Sequence, residues 1–169
     1  MPMELNGGFL TRLLRDAAVP PPATDPPQDC TSVFLLLHHK EAAPHILAIL
    51  KADTPGYAWR NQVALPGGHV DPGDPTPLDA AYRELAEELG VGRHQVTFSG
   101  SMGHFQTIQE KDIEVFAGVW DGRMDDIAYD TREIARGLEL PVEGLLNTHL
   151  SGGFHGRDPG IMELLYPFE

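Results

Sequence analysis

Three glutamates, Glu84, Glu87 and Glu88, follow Arg83 in the run R-E-L-A-E-E-L-G-V, residues 83 to 91. Their i, i+3, i+4 spacing gathers them on one face of a helix, within an arc of roughly 100°. Like charges placed this way repel one another, so the chain must supply an offset. Clustered carboxylates beside a backbone carbonyl suit a hard divalent cation such as Mg²⁺, or alternatively Mn²⁺. Such an ion neutralises phosphate oxygens and lowers the pKa of a bound water. Gly67 and Gly68, just upstream, permit close backbone approach, and Arg83 can hold the adjacent Glu84 in orientation. Glu87 and Glu88 are both expected on the exposed face.

The helix that must carry these acids is marked at both ends. Thr76 is an N-cap residue, Pro77 suits the first helical position, and Asp79 stands three residues after the cap. Gly90 fits a left-handed C-terminal cap. Between them Leu78, Tyr82, Leu85 and Leu89 recur at spacings of four and three and form an apolar stripe. Around this helix the chain reads mostly as strand. Residues 32–38 and 45–50 are short apolar runs joined by a polar turn region, which predicts a hairpin. Residues 62–65 read as a short strand running into Pro66-Gly67-Gly68. Further strands are expected over 96–105, 113–120 and 134–140, the last entering a short helix. Residues 9–17 predict a short amphipathic helix with Leu10, Leu13 and Leu14 on one side. The five prolines of residues 19–29 predict an extended connector. The expectation is therefore a mixed α/β fold, with residues 1–30 as an N-terminal arm and connector and 31–169 as the main domain.

Gly68 together with residues 83–91 resembles the Nudix box, G-x5-E-x7-R-E-U-x-E-E-x-G-U with U aliphatic, of the Nudix hydrolases. Every fixed position of the second half is matched. The resemblance implies an α+β Nudix fold, a mixed β-sheet sandwiched by helices. It implies hydrolysis of the diphosphate linkage in a nucleoside diphosphate derivative, a small-molecule substrate, with Mg²⁺ as cofactor and Mn²⁺ as its substitute. Glu84, Glu87, Glu88 and the Gly68 carbonyl fall on the family's metal ligands, and Arg83 on the arginine that orients the acids. Glu84, Arg83 and Glu88 are thus the expected catalytic residues. The general base lies either in the box, as Glu84, or on a later loop, where Glu110, Asp112 and Glu114 are the available acids.

The first half of the box departs from the pattern. Asp74 stands where the first glutamate is expected, and eight residues separate it from Arg83. Gly67-Gly68-His69-Val70-Asp71-Pro72-Gly73-Asp74 resembles the G-G-x-x-D-x-x-D form of the coenzyme A diphosphatase-like members. The segment 131–135, T-R-E-I-A, resembles their later region. Their upstream signature is not kept, since Leu65, Asn61, Tyr57, Ala52 and Asp53 occupy its positions. Coenzyme A or its thioesters therefore share the field with ADP-ribose and nucleotide sugars, and with a module that binds nucleotide without turnover. Arg60 and His69 are candidates for substrate contact. The chain stops where the family's fold continues with a closing helix, which leaves room for a homodimer or for cover from the N-terminal arm.

Charge and composition exclude other classes. A formal net charge of −13 argues against nucleic-acid binding, which needs a basic surface. No apolar run is long enough to span a membrane and no signal pattern opens the chain, so the expected location is cytoplasmic. One cysteine, Cys30, rules out an internal disulfide, and the histidines match no zinc spacing.

Overall fold

Strand β1 (Cys30–Lys40) and strand β2 (Ala43–Lys51) form the predicted hairpin, paired antiparallel from Leu36 with Leu47 to Lys40 with Ala43. Its two-residue turn, Glu41 and Ala42, takes positive φ at both positions, the twist that suits a tight hairpin. Beyond Leu36 and Leu47 the two strands part. The gap is crossed by one extended run, β3 (Val63–Ala64) on β2 and β4 (Gly67–His69) on β1. The sequence predicts only the first of these as strand. Gly67 and Gly68 have little strand preference of their own, and the open edge of β1 imposes it. Gly67 is the residue this requires: its φ is +147°, and a Cβ there would lie 2.2 Å from the Ser32 carbonyl oxygen. These coordinates form a computed structural model, which describes residues 7–19, 30–57, 59–106 and 111–150. The expected connector from residue 20 to 29, Glu110 and the chain from residue 151 onward lie outside the described residues.

Strand β6 (Asp112–Trp120) runs parallel to β1, β5 (Val96–Gln106) is antiparallel to β6, and β7 (Ile134–Pro141) is antiparallel to β2. The sheet order is β3-β2-β1-β6-β5, with β4 and β7 branching from it. Helix α1 (Gly7–Ala17), helix α2 (Pro77–Leu89) and helix α3 (Val142–Leu150) complete the described elements, with short 3-10 turns at Arg93–Gln95 and Met124–Asp126.

Alternation along the strands sends side chains to two cores. On one face Phe34, Leu36, Leu47, Ile49, Phe116 and Trp120 meet Tyr82, Leu85 and Leu89 of α2. Leu85 and Leu89 are wholly buried, worth about 1.5–3 kcal/mol each in apolar burial. On the other face Leu37, Val119 and Val142 meet Leu10 of α1, with Phe9 and Leu14 packed alongside. The fold is thus the α+β arrangement predicted, a mixed sheet between helices. Leu13 differs from expectation, being 49% exposed, while Phe9 packs beside Leu10 and Leu14 in its stead. No described helix is long and apolar enough to cross a membrane.

Helix α2 is built as its sequence dictates. The Thr76 hydroxyl accepts a hydrogen bond from the Asp79 N–H, and Gly90 closes the helix at φ 66°. Ser32 Oγ donates to the Pro77 carbonyl, tying the start of α2 to β1. If α1 is an integral layer and not a loose arm, Leu10→Ala should lower stability by about 2–4 kcal/mol. Urea denaturation followed by circular dichroism measures this; a loss under about 0.5 kcal/mol would show that α1 adds nothing to the core.

Candidate active site

Arg83 is the hub of the acidic face. Its Nε and Nη2 donate to the two carboxylate oxygens of Asp74 at 3.1 and 2.9 Å, a bidentate fork. Nη2 also donates to the His69 carbonyl at 3.0 Å, and Asp71 lies 3.5 Å from it. Nη1 donates to Glu84 Oε1 at 2.8 Å and to Glu87 Oε2 at 3.1 Å. The Asp74 hydrogen bond leads in raising the Arg83 pKa above its ordinary value, and the same bond leads in lowering that of Asp74. Asp74, the aspartate in a glutamate's place, is therefore the clamp that holds Arg83 against the helix acids.

Glu84 lies between Arg83 and the backbone of β4. A Cβ on Gly68 would stand 2.4 Å from Glu84 Oε1, so any side chain there would push the carboxylate out of this position. Burial raises the Glu84 pKa, against the opposing pull of Arg83. Glu87 is exposed and pairs with Arg83.

Glu88 is not on the exposed face predicted for it. It is 2% exposed, because the i, i+4 step from Glu84 carries it toward the split between β1 and β2. Lys51 Nζ donates to Glu88 Oε1 at 2.5 Å, and the Gly67 N–H donates to Oε2 at 2.9 Å. Burial works against the Lys51 ammonium, but the charge and hydrogen bond of Glu88 more than restore it, so its pKa stands above the ordinary lysine value. Both partners are taken out of water, and for Glu88 burial outweighs the pull of Lys51 and the Gly67 N–H, so its pKa stands above the ordinary carboxylate value.

The segment after the Met124–Asp126 turn closes the site. The N–H groups of Ala128 and Asp130 donate to the carbonyls of Leu89 and Glu88, at the end of α2. Asp130 grips Arg132 with both oxygens, and this bond leads in lowering its pKa to about 2. A cleft of about 360 Å³ results, lined by Asp71, Arg83, Glu84, Glu87, Glu88, Asp130, Arg132 and Glu133. Six of these are carboxylates and two are guanidiniums. The sequence reading did not single out Lys51, Asp130, Arg132 or Glu133. Lys51 ends an apolar strand and carries no local signal, while the other three fall in or beside the 131–135 segment, which was marked only by its resemblance.

The remaining candidates are placed elsewhere. Asp112 and Glu114 stand on β6 and do not line the cleft. His104 bridges them, at 3.1 and 3.4 Å, and Ser101 Oγ donates to Glu114 at 3.2 Å. Glu114 is in register with Ser32, which is in register with Gly68, so roughly 10 Å of sheet separates it from the Gly68 backbone. Arg60 sits at the β2–β3 connection, 3.6 Å from Asp53. His69 contributes its carbonyl to Arg83.

The donor set is all oxygen and strongly negative, which is the chemistry of a hard divalent cation. As arranged, no three His, Cys, Asp or Glu side chains among the described residues converge as metal ligands. Glu84 and Glu87 are turned onto Arg83, and Glu88 onto Lys51. An ion would draw Glu84 and Glu87 partly away from Nη1, for which each has a second oxygen to offer.

The family model of the NUDIX domain matches residues 10–153. Over 125 residues the chain is 26% identical to the mitochondrial coenzyme A diphosphatase NUDT8 of Homo sapiens, covering 73% of this chain and 53% of that protein. Over 102 residues it is 31% identical to the RNA pyrophosphohydrolase of Cereibacter sphaeroides, covering 60% of this chain and 57% of that one. The chain thus spans little more than half the length of these curated relatives. Among solved structures, a C. elegans Ap4A hydrolase binary complex is similar with a TM-score of 0.56 at 20% identity, covering 67% of this chain and 80% of that chain. That likeness is one of fold.

Lys51→Met should cost about 3–5 kcal/mol at neutral pH, since it strands a buried carboxylate. Lys51→Met combined with Glu88→Gln should recover most of that loss. The folded Lys51 pKa is raised, so the wild-type advantage over the double variant should be whole below about pH 10 and fade as pH rises through the folded value. Urea titrations across pH 6 to 11 (on the order of one per pH unit) read both effects; equal stability of the single variant and wild type would remove the buried pair from the account.

Proposed function

The chain belongs to the NUDIX family, and from that premise we propose that it is a Mg²⁺-dependent diphosphatase acting on a small nucleoside diphosphate derivative. The observation that carries this reading is that Glu84, Glu87, Glu88 and Glu133 line one cleft together with Arg83. Glu84, Glu87, Glu88 and the Gly68 carbonyl would hold the ion, which on binding neutralises phosphate oxygens and makes water a better nucleophile. The chain's own residues supply orientation and proton transfer. Arg83, fixed by Asp74 and the His69 carbonyl, aims Glu84 and Glu87 together. A carboxylate within reach of the attacking water takes its proton as the water oxygen bonds to phosphorus and the P–O bond of the anhydride breaks. Glu84, whose proton affinity burial has raised, suits that task, and Glu133, which lines the same cleft, is the alternative.

Coenzyme A or its thioesters are the first substrates to test. The G-G-x-x-D-x-x-D form of residues 67–74 supports them, as does the similarity to a coenzyme A diphosphatase. ADP-ribose and nucleotide sugars are the enzymatic rivals. A formal net charge of −13 favours a small cytoplasmic ligand over RNA, whose phosphates would meet repulsion across the surface.

The deciding experiment is Mg²⁺-dependent product formation across coenzyme A, ADP-ribose, UDP-glucose, diadenosine tetraphosphate and an RNA with a 5′-triphosphate. Glu84→Gln should lower kcat by about a hundred- to ten-thousandfold. Glu87→Gln should weaken the response to Mg²⁺ and leave the melting temperature unchanged, because Glu87 is solvated. Glu87 is a cleaner probe than Glu88, whose replacement also breaks the buried pair. Tight nucleotide binding without turnover by the wild type would make the chain a binding module; undiminished turnover in Glu84→Gln would remove Glu84 from the chemistry.

A further inference from the structure

Three cations serve the acidic cleft, and two of them are fully committed. Lys51 is buried against Glu88. Arg83 has Nε and both terminal nitrogens engaged by Asp74, Glu84, Glu87 and the His69 carbonyl. Arg132 is different. Asp130 holds one edge of its guanidinium, Nε at 2.9 Å and Nη2 at 2.5 Å, while Nη1 takes part in no hydrogen bond among the described residues. The side chain is 86% exposed and lines the cleft.

The mounting of Arg132 is rigid although it lies on a turn. Its N–H donates to Asp130 Oδ1 at 3.0 Å and its carbonyl accepts from Thr54 Oγ1 at 3.2 Å. The Ala52 N–H donates to the Glu133 carbonyl at 2.7 Å, and the Asp130 N–H donates to the Glu88 carbonyl at 3.1 Å. The turn that carries Arg132 is therefore tied through the backbone to the helix end that carries Glu88, and the guanidinium is held to that turn by Asp130. A planar fork at a cleft, with one edge clamped and the other outside any hydrogen bond among the described residues, is suited to an anionic oxygen.

We propose that Arg132 is a substrate-binding residue that takes a phosphate oxygen of the diphosphate through its outward edge, with Asp130 setting its orientation. This rests on the diphosphatase reading above and adds the anion contact that the carboxylates cannot make. An anion entering a cleft with six acids needs a cation that is not already neutralised from every side. Arg132 is the cation in the lining with a terminal nitrogen outside any hydrogen bond among the described residues.

The test compares wild type, Arg132→Ala and Arg132→Lys. For the panel member that turns over fastest, Arg132→Ala should raise KM about ten- to a hundredfold while kcat moves less than about threefold. Arg132→Lys should recover part of the affinity, since it keeps the charge and loses the fork. Calorimetric titration with ADP in the presence of Mg²⁺ should show the same order of affinities. An unchanged KM, or a fall in kcat together with melting temperature at constant KM, would overturn the proposal and leave Arg132 as a staple of its turn. If the wild type turns over no member of the panel, the diphosphatase reading fails, but ADP titration still decides on Arg132. Equal ADP affinity in wild type and Arg132→Ala, or no ADP binding by the wild type, overturns it.

Discussion

The repulsion among carboxylates at the end of α2 is the constraint the rest of the site answers to. Glu84, Glu87 and Glu88 follow one another on a single helix face, and Asp71, Asp130 and Glu133 are brought up to them. Left alone, such a group would open the loops around it or lose its charges to protonation. The three helix acids are met by two cations of different kinds. Arg83 uses its planar fork to join Asp74 to Glu84 and Glu87, while Lys51 puts a compact charge on a carboxylate that solvent cannot reach. The first arrangement leaves oxygens facing the cleft, and the second leaves none outside a hydrogen bond.

The sheet makes that second pairing available by failing to stay closed. Where β1 and β2 part, β2 ends at Lys51 and the run from Val63 to His69 crosses beneath α2. The crossing delivers the Gly67 N–H to Glu88 and the bare Gly68 backbone to Glu84. Any side chain at Gly67 would meet the Ser32 carbonyl, and one at Gly68 would displace the Glu84 carboxylate. Two adjacent glycines thus serve separate ends, one admitting the strand and the other admitting the acid.

What could be read from the sequence follows the range of the interactions. Helix α2 was legible because its determinants, Thr76, Pro77, Gly90 and the Leu78–Tyr82–Leu85–Leu89 stripe, all act within a few residues. The Arg83 contact to Glu84 was legible for the same reason. Lys51 and Glu88 are 37 residues apart, and their meeting depends on where the hairpin splits, which no local pattern records. The burial of Glu88 was missed with it. Strand β4 was missed because its pairing belongs to β1 and not to its own residues, and Asp130, Arg132 and Glu133 because backbone bonds to α2 and β2 fold their turn inward.

The irregular first half of the box can be understood through its hydrogen bonds. Aspartate is one methylene shorter than glutamate, and the segment from Asp74 to Arg83 is one residue longer than the family pattern. The two changes need not accumulate. Asp71 and Asp74 exchange bonds at 2.9 Å, the Asp71 N–H donating to the Asp74 carboxylate and the Asp74 N–H to the Asp71 carbonyl. This closes a turn that fixes the shorter side chain at the head of the helix. The added residue falls between that turn and Arg83, where Pro77 and the Thr76 cap begin the helix in a set geometry. The carboxylate still reaches Arg83 with both oxygens, so the fork that orients Glu84 and Glu87 survives the change in spacing.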